Sequence, residues 1–178
     1  MIEFSQGHGV RWYALYVKPR HEKNVSNALR GKGYEPFVPL YQSKRTHLCE
    51  LPLFPCYVFT RLDARERLPV LKIPSVFFMV GMGKVPVPLE ESEIAALKTI
   101  VASGSSVQPW PYMKAGDRVR IQDGPLRGVE GFFEKADSTM QLIVSVTLLR
   151  RSVAVRIDAR WAVPIEEETE LAMTARTG

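Results

Sequence analysis

The length, composition and charge of the chain exclude several classes of protein. Its 178 residues suffice for one ordinary domain or two small ones, and 46% apolar residues exclude a wholly disordered chain. No run approaches the roughly 20 apolar residues that span a bilayer, and residues 1–10 lack a signal-peptide pattern, so we expect a cytoplasmic protein without membrane contact. The net charge of +5 is uneven, because residues 166–178 hold four acidic residues and one basic residue; the remainder is compatible with a polyanionic partner but does not require one.

The chain opens with a strand followed by a helix. Residues 12–18 form an apolar, aromatic run that predicts a strand, which Pro19 ends. Residues 20–32 place apolar side chains three and four positions apart, which predicts an amphipathic helix. Gly33 is a natural cap for the carboxyl end of that helix.

The next segments predict further strands and a short helix. Residues 35–42 contain two prolines and therefore predict an edge strand. Residues 51–62 are the most apolar segment and predict a central strand from about Cys56 onward. Residues 65–72 predict a short helix, and residues 76–80 predict another strand.

A second long helix and a linker follow Pro88. Acidic residues occupy the first turn, which favours a helix start, and Ile94, Leu97 and Val101 fall on one side. Residues 103–115 combine small polar residues with two prolines and predict a flexible linker. The predicted domains are therefore residues 11–102 and residues 116–165.

Beyond the linker the helical period disappears. Short β-branched segments are separated by turn signals; they cover residues 117–122, 129–135, 140–149 and 152–157. Several short strands in so few residues predict a small barrel. Because β-branched residues such as Val144 and Val153 disfavour a helix, we expect the barrel in the free protein. The acidic tail, residues 166–178, is predicted to be disordered.

Residues that would support catalysis or metal binding are sparse. The sequence has no phosphate-binding loop, no H-E-x-x-H pair and no G-x-S-x-G turn. His47, Cys49 and Cys56 could supply ligands to zinc, but the paired C-x-x-C spacing is missing, so structural or solvent-exposed residues are favoured. We predict no enzymatic activity, no cofactor and no metal.

Residues 116–128, GDRVRIQDGPLRG, followed by Gly131, resemble the KOW signature. Val119 and Ile121 alternate toward a barrel interior, while Gly124, Pro125 and Gly128 form a tight turn. The signature is only moderately specific, because KOW barrels also occur in ribosomal proteins.

A second pattern lies in the first half of the chain. Residues 12–16, WYALY, and residues 53–59, LFPCYVF, resemble the N-terminal domain of NusG proteins. The order of these strands, the helices, the linker and the KOW signature identifies the chain as a member of the NusG family over residues 11–165. In style the chain resembles specialised paralogues, the RfaH, UpxY and LoaP groups, more than the general NusG. Residues 44–59 are especially similar to RfaH in pattern.

The resemblance implies a fold and a function. It implies an α+β N-terminal (NGN) domain, with an antiparallel-type sheet flanked by helices, joined by the linker to an SH3-like barrel. It implies a monomeric transcription elongation and antitermination factor that grips the clamp helices of the RNA polymerase largest subunit. The matching positions of the apolar gripping patch are Tyr16, Tyr57, Phe59 and Phe78.

The resemblance also implies contacts with DNA and with a second protein. The start of the first helix would contact non-template DNA, and free N–H groups at a helix start suit phosphate. The matching positions are Lys18, Arg20, His21 and Asn24. A loop of the barrel would bind the ribosomal protein NusE or, less readily, Rho, since Leu149 replaces an aromatic residue. The matching positions are Leu149, Arg150 and Arg151.

One alternative function remains open. A KOW barrel with basic loops is also typical of RNA-binding and ribosome-associated proteins. Polymerase capture through residues 11–102 would favour the elongation factor, whereas ribosome capture through the barrel alone would favour the alternative.

Overall fold

The computed structural model describes residues 9–42, 49–110, 112, 116–136 and 139–165. The acidic tail and part of the predicted linker lie outside the described residues. Within the described ranges the chain forms two antiparallel sheets, two small hairpins and three α-helices. None of these helices is long and apolar enough to cross a membrane.

The first sheet has four antiparallel strands and belongs to the N-terminal half. Its strands, numbered in chain order, are β1 (Arg11–Val17), β2 (Glu35–Phe37), β5 (Tyr57–Leu62) and β6 (Val76–Met79). The spatial order is β2-β5-β1-β6, so β5 is central, as predicted, and β2 lies at an edge. Strands β3 (Leu40–Gln42) and β4 (Glu50–Pro52) form a separate hairpin. The predicted edge strand 35–42 is thus split, because Pro39 has no N–H to continue the ladder.

Three helices accompany this sheet: α1 (Glu22–Gly31), α2 (Leu68–Leu71) and α3 (Glu91–Ala102). Both faces of β1 are buried. Tyr13, Leu15 and Val17 share one apolar cluster with Val25 and Leu29 of α1. On the opposite face, Trp12 and Ala14 share a cluster with α3, which buries Ile94, Leu97 and Ile100. Val101, which was predicted on the buried side of α3, is half-buried. Ile100 is buried instead, because it follows Leu97 by three residues, as Leu97 follows Ile94, and so lies on the same side of the helix.

A short hairpin follows β6. Its strands are β7 (Gly81–Met82) and β8 (Val85–Pro86), and both apolar side chains at the tip, Met82 and Val85, are exposed. The backbone then returns to the sheet, where the Leu89 N–H donates to the Trp12 carbonyl over 2.8 Å. This return places the start of α3 beside β1.

The second sheet is six-stranded and forms the predicted barrel. Its strands are β9 (Val107–Trp110), β10 (Asp117–Ile121), β11 (Glu130–Ala136), β12 (Thr139–Val146), β13 (Arg151–Arg156) and β14 (Ala162–Pro164). They lie in the order β14-β10-β11-β12-β13-β9. Val119, Ile121, Val144 and Val153 are buried inside it. The barrel predicted from several closely spaced, β-branched strands is confirmed.

Strand β9 lies inside the segment predicted as a linker. Val107 and Trp110 are half-buried, and the Trp110 indole N–H donates to the Glu134 carboxylate over 3.1 Å. Pro109 is exposed on this edge strand, where a missing N–H is tolerated. The prolines therefore suggested a linker, although the flanking apolar residues join the barrel.

The KOW signature forms the turn between β10 and β11. Gly124 and Gly128 adopt positive φ of 75° and 86°, and the Gly128 N–H donates to the Ile121 carbonyl over 2.8 Å. The Trp161 ring packs so close to Gly124 that a Cβ there would lie 2.6 Å from it. The turn therefore needs glycine at position 124 for both conformation and space.

Candidate functional site

Four aromatic side chains meet where β1, β5 and β6 lie side by side. Tyr16 is central: its ring stacks on Phe78 at a centroid distance of 5.0 Å and meets Tyr57 edge-on at 5.5 Å. Phe77 lies 6.0 Å from the same ring. Strand register explains the arrangement, because Tyr16 is paired with Tyr57 on one side and with Phe78 on the other. We call these four residues the aromatic patch.

The aromatic patch is open to solvent along its outer edge. Phe77 is 59% exposed and Phe78 is 51% exposed, while Tyr16 and Tyr57 are half-buried. Both phenylalanines lie on β6, which is an edge strand. Contiguous exposed aromatic side chains are typical of interaction sites, since they offer a large apolar area at small entropic cost.

Phe59 does not belong to this surface, and the prediction that included it is wrong. Its side chain is fully buried and packs on Phe37 and Phe54, with ring centroids 6.1 and 5.6 Å away. Tyr57 and Phe59 share one face of β5, but Tyr57 is at the end of the strand. Phe59 lies two residues further in, beneath those neighbouring rings.

Phe77 is a patch residue that the sequence reasoning missed. Two adjacent phenylalanines on one strand point to opposite faces, so both are buried only when both faces of the strand are covered. Strand β6 pairs with β1 on one side, and its ladder is irregular between Tyr16 and Val17. The adjacent phenylalanines Phe77 and Phe78 were therefore the feature of the sequence that could have predicted an exposed aromatic residue.

The predicted nucleic-acid residues gather at the turn from β1 into α1. Lys18, Arg20 and Asn24 are exposed, and His21 is half-buried, with its Nδ1 3.0 Å from the Ser75 hydroxyl. Neither Lys18 nor Arg20 has an ion pair within the described ranges. We call residues 18–21 the basic loop. Its two free cations follow the aromatic patch directly along the chain.

Hydrogen bonds hold the basic loop against two neighbouring turns. The Lys18 N–H donates to the Ser75 carbonyl over 2.8 Å, and the buried Glu22 carboxylate accepts the Cys56 N–H over 2.8 Å. Arg20, Cys56 and Ser75 all have φ between 65° and 75°. Such a conformation costs about 1–2 kcal/mol for a residue with a side chain. The hydrogen bonds offset this strain and fix the loop.

The predicted partner-binding loop of the barrel faces the N-terminal half. The Thr147 N–H donates to the Glu93 carboxylate of α3 over 3.0 Å, and the Arg151 guanidinium lies over the Tyr57 ring at 5.4 Å. Arg150 approaches the Tyr112 ring at 5.8 Å. Leu149 is buried in the apolar cluster, so the prediction that it is a surface contact does not hold in this form.

Several charges of the barrel are already paired. Arg118 and Arg120 both donate to the Glu130 carboxylate, over 3.1 and 2.8 Å. Hydrogen bonding from Arg120 chiefly lowers the pKa of Glu130. The Arg160 side chain likewise lowers the pKa of Asp158 to about 2. These pairs reduce the positive potential that the barrel presents to a polyanion.

The described residues do not bring together the ligands that a zinc site would need. His47 lies outside the described residues, while Cys49 is exposed and Cys56 is half-buried. In the described part of the chain, no three potential metal ligands come together.

Comparison with known proteins supports the interpretation of both halves. A family model described as "Transcription termination factor nusG" matches residues 10–98. The transcription termination/antitermination protein NusG of Escherichia coli K12 is 30% identical over 168 residues, which cover 83% of this chain and 92% of that protein. The chain belongs to the NusG family. The prediction made from the two sequence motifs is confirmed.

Two further matches extend this assignment. The protein of the same name in Helicobacter pylori 26695 is 24% identical and covers 82% of the chain. A solved chain of Thermotoga maritima NusG has a TM-score of 0.57 at 21% identity, with 89% of this chain and 98% of that chain aligned. The structural likeness supports the NGN and KOW fold.

Proposed function

We propose that the chain is a transcription elongation and antitermination factor that docks on RNA polymerase without catalysing a reaction. The aromatic patch carries this proposal. Its four rings would bind the clamp helices of the largest polymerase subunit, with Phe77 and Phe78 as the outermost contacts. A factor held there keeps the clamp closed and reduces pausing by shifting a conformational equilibrium.

The composition of the patch suits a protein partner. Phe77 and Phe78 supply apolar area, while Tyr16 and Tyr57 carry hydroxyl groups that stay hydrated until the partner arrives. A few buried aromatic side chains commonly supply most of the binding free energy of an interface. The two exposed phenylalanines are therefore the expected centre of affinity.

The basic loop would contact the exposed non-template strand. Lys18 follows Tyr16 by two residues, so its backbone lies about 7 Å from the patch along the strand direction. Its cation and that of Arg20 face solvent without internal partners in the described part of the chain. DNA emerging beside the clamp would then meet positive charge as soon as the patch docks.

The barrel would recruit a second partner, with ribosomal protein NusE favoured over Rho. Arg150 and Arg151 are exposed, whereas Leu149 is buried, so the arginines are the more accessible part of the loop in this form. The alternative of an RNA-binding KOW protein is less well supported. Arg118, Arg120 and Arg160 are engaged in ion pairs within the barrel.

The decisive experiment removes the exposed rings. A Phe77→Ala/Phe78→Ala variant should bind core RNA polymerase at least tenfold more weakly, because each lost anchor contributes about 1–2 kcal/mol. It should also lose any effect on pause duration in a purified elongation assay. Val10→Ala is the matched control, since Val10 is an exposed apolar residue at the opposite end of β1.

The two functions give different outcomes in the same assay. If the double variant binds polymerase with wild-type affinity, the aromatic patch is not part of the interface. Failure of the wild-type chain to bind polymerase, together with capture of ribosomes by the barrel, would favour the alternative function.

A further inference from the structure

Helix α1 begins with a buried carboxylate. Glu22 is 5% exposed, and it has no ion pair within the described ranges. A carboxylate in such a place is stabilised by hydrogen bonds and by the partial positive charge at the start of a helix. Its Oε1 accepts the Cys56 N–H over 2.8 Å. Glu22 therefore joins the start of α1 to the turn that leads into β5.

The turn before β5 has an unfavourable backbone conformation at Cys56. Its φ is 70°, which costs free energy in a residue that has a side chain. The Cys56 carbonyl accepts the Val17 N–H over 2.9 Å, and the Tyr57 N–H donates to the Phe54 carbonyl over 3.1 Å. Because Tyr57 follows Cys56 directly, the conformation of Cys56 sets the direction in which the Tyr57 ring leaves the turn. The hydrogen bond to Glu22 helps to hold that conformation.

His21 makes the corresponding contact with the turn before β6. Its Nδ1 lies 3.0 Å from the Ser75 hydroxyl, and the Ser75 carbonyl accepts the Lys18 N–H over 2.8 Å. Ser75 has a φ of 75°, so this turn is strained as well. Phe77 and Phe78 follow Ser75 by two and three residues. The imidazole of His21 therefore holds the turn from which both exposed rings emerge.

Three of the four rings in the aromatic patch thus follow a turn that α1 holds through a side chain. The fourth ring, Tyr16, lies on β1 between them, with Tyr57 and Phe78 as its partners in the sheet. An interface gains affinity when its side chains are ordered before the partner arrives, because the free energy of ordering is then not subtracted from the free energy of binding. The two turns therefore determine how well the patch is prepared for a partner.

We propose that Glu22 and His21 are positioning residues for the aromatic patch. Each acts through one turn: Glu22 through Cys56, and His21 through Ser75. The proposal rests on the proposed function, because that function assigns the patch to polymerase binding. It also changes the role of His21, which was predicted to contact DNA. The Nδ1 of His21 is engaged by Ser75, so DNA contact is left to the two free cations of the basic loop.

The first test compares two substitutions of Glu22. Glu22→Gln keeps an oxygen that can accept the Cys56 N–H, whereas Glu22→Ala removes it. Glu22→Ala should bind nucleic-acid-free core polymerase about five- to tenfold more weakly, because the turn must then be ordered on binding. Glu22→Gln should stay within about twofold of wild type, since the hydrogen bond is kept. Ser26→Ala is the control, because Ser26 is a buried polar residue one helical turn further along α1.

Hydrogen exchange in the free protein separates positioning from loss of the fold. The Cys56 amide should lose protection in Glu22→Ala and keep it in Glu22→Gln, while β1 and β5 stay protected in both variants. Normal protection of Cys56 in the alanine variant, or wild-type polymerase affinity despite its loss, would overturn the proposal. If Glu22→Ala does not fold, a second pair of variants decides.

That second pair removes one contact from either end. His21→Ala and Ser75→Ala break the same side-chain contact, so each should weaken binding to nucleic-acid-free polymerase by about three- to fivefold. The double variant should lose no more than either single variant, because the two residues act through one contact. Direct DNA contact by His21 would give another result, which would overturn its positioning role. Ser75→Ala would bind normally, and His21→Ala would change only the salt dependence of binding to an elongation complex.

Failure of the proposed function gives a different set of results. If the wild-type chain does not bind core polymerase, the patch loses its assigned partner. Two observations on the free protein would then still show that α1 positions the patch. One is the loss of Cys56 protection in Glu22→Ala, and the other is exchange broadening of the Phe77 and Phe78 resonances in Ser75→Ala.

Discussion

At the scale of single residues, position along a strand decides whether an aromatic side chain stabilises the core or faces a partner. Phe59 and Tyr57 lie on the same face of β5, yet Phe59 is enclosed by Phe37 and Phe54. Phe78 pairs with Tyr16 at the edge of the sheet and keeps half of its surface exposed. The two phenylalanines should therefore respond differently to truncation.

Truncation of Phe59 and Phe78 separates stability from binding. Phe59→Ala should lower the free energy of unfolding by about 3–5 kcal/mol, because it removes a buried ring and leaves a cavity. Phe78→Ala should lower it by less than about 1 kcal/mol, since that ring is already half in water. Denaturant titration measures both, and an equal loss in the two variants would contradict the assigned roles.

Glu130 gives the barrel a predictable response to acid. Hydrogen bonds from Arg120 lower its pKa in the folded state below 4.5. The stabilisation is therefore complete above the unfolded-state pKa and is lost as pH falls through the folded-state pKa. Glu130→Gln should reduce the melting temperature modestly at pH 7, by an amount equivalent to less than about 1 kcal/mol.

Comparison of Glu130→Gln with wild type at low pH provides an internal control. As pH falls below about 4.5, the wild-type advantage should shrink and then vanish, because the carboxyl group becomes protonated in both states. Thermal unfolding at pH 7 and at pH 3 tests this. A constant difference across that range would show that the ion pair contributes through packing instead.

At the scale of elements, the KOW turn shows why two glycines in one motif are not equivalent. Both Gly124 and Gly128 have positive φ, but Gly124 also lies against the Trp161 ring. A Cβ at Gly128 would meet nothing within 4 Å. Backbone strain is therefore common to both positions, whereas steric contact is specific to the first.

Alanine substitution in this turn distinguishes the two effects. Gly128→Ala should destabilise the barrel by about 1 kcal/mol through strain alone. Gly124→Ala should cost about 1–3 kcal/mol more, because the Trp161 ring must move. Unfolding followed by tryptophan fluorescence reports both. If both variants lose the same stability, the Trp161 ring moves aside without a further cost in free energy.

At the scale of the whole molecule, the tertiary structure brings several candidate contact surfaces close together. The aromatic patch and the basic loop lie at one end of β1, and the docked barrel brings Arg151 onto Tyr57 at that same end. Three surfaces proposed for different partners are therefore adjacent.

The basic loop should make polymerase binding depend on salt when nucleic acid is present. Lys18→Ala/Arg20→Ala should weaken association with a complete elongation complex and reduce the logarithmic salt slope by about 1.4–1.8. Binding to polymerase without nucleic acid should change little. Lys32→Ala, an exposed basic residue at the far end of α1, is the control. An unchanged slope would remove DNA contact from the proposed function.

The sequence by itself determined the elements whose residues follow a local rule. Apolar and aromatic runs predicted β1 and β5, short β-branched segments predicted the barrel strands, helical spacing predicted α1 and α3, and the glycines of residues 116–128 predicted a tight turn. These rules are local because side-chain direction follows from backbone period. The two motifs, taken in order, were also enough to assign the family.

Only the tertiary structure decided burial, pairing and proximity. Phe59 is buried beneath two neighbouring rings, whereas Phe77 is exposed beside Phe78. Residues 107–110, which were predicted to belong to the linker, form a strand of the barrel. The tertiary structure also set Arg151 over Tyr57, residues 94 positions apart in the chain. These facts depend on which surfaces pack together across the chain, because burial is a property of neighbours that local sequence does not name.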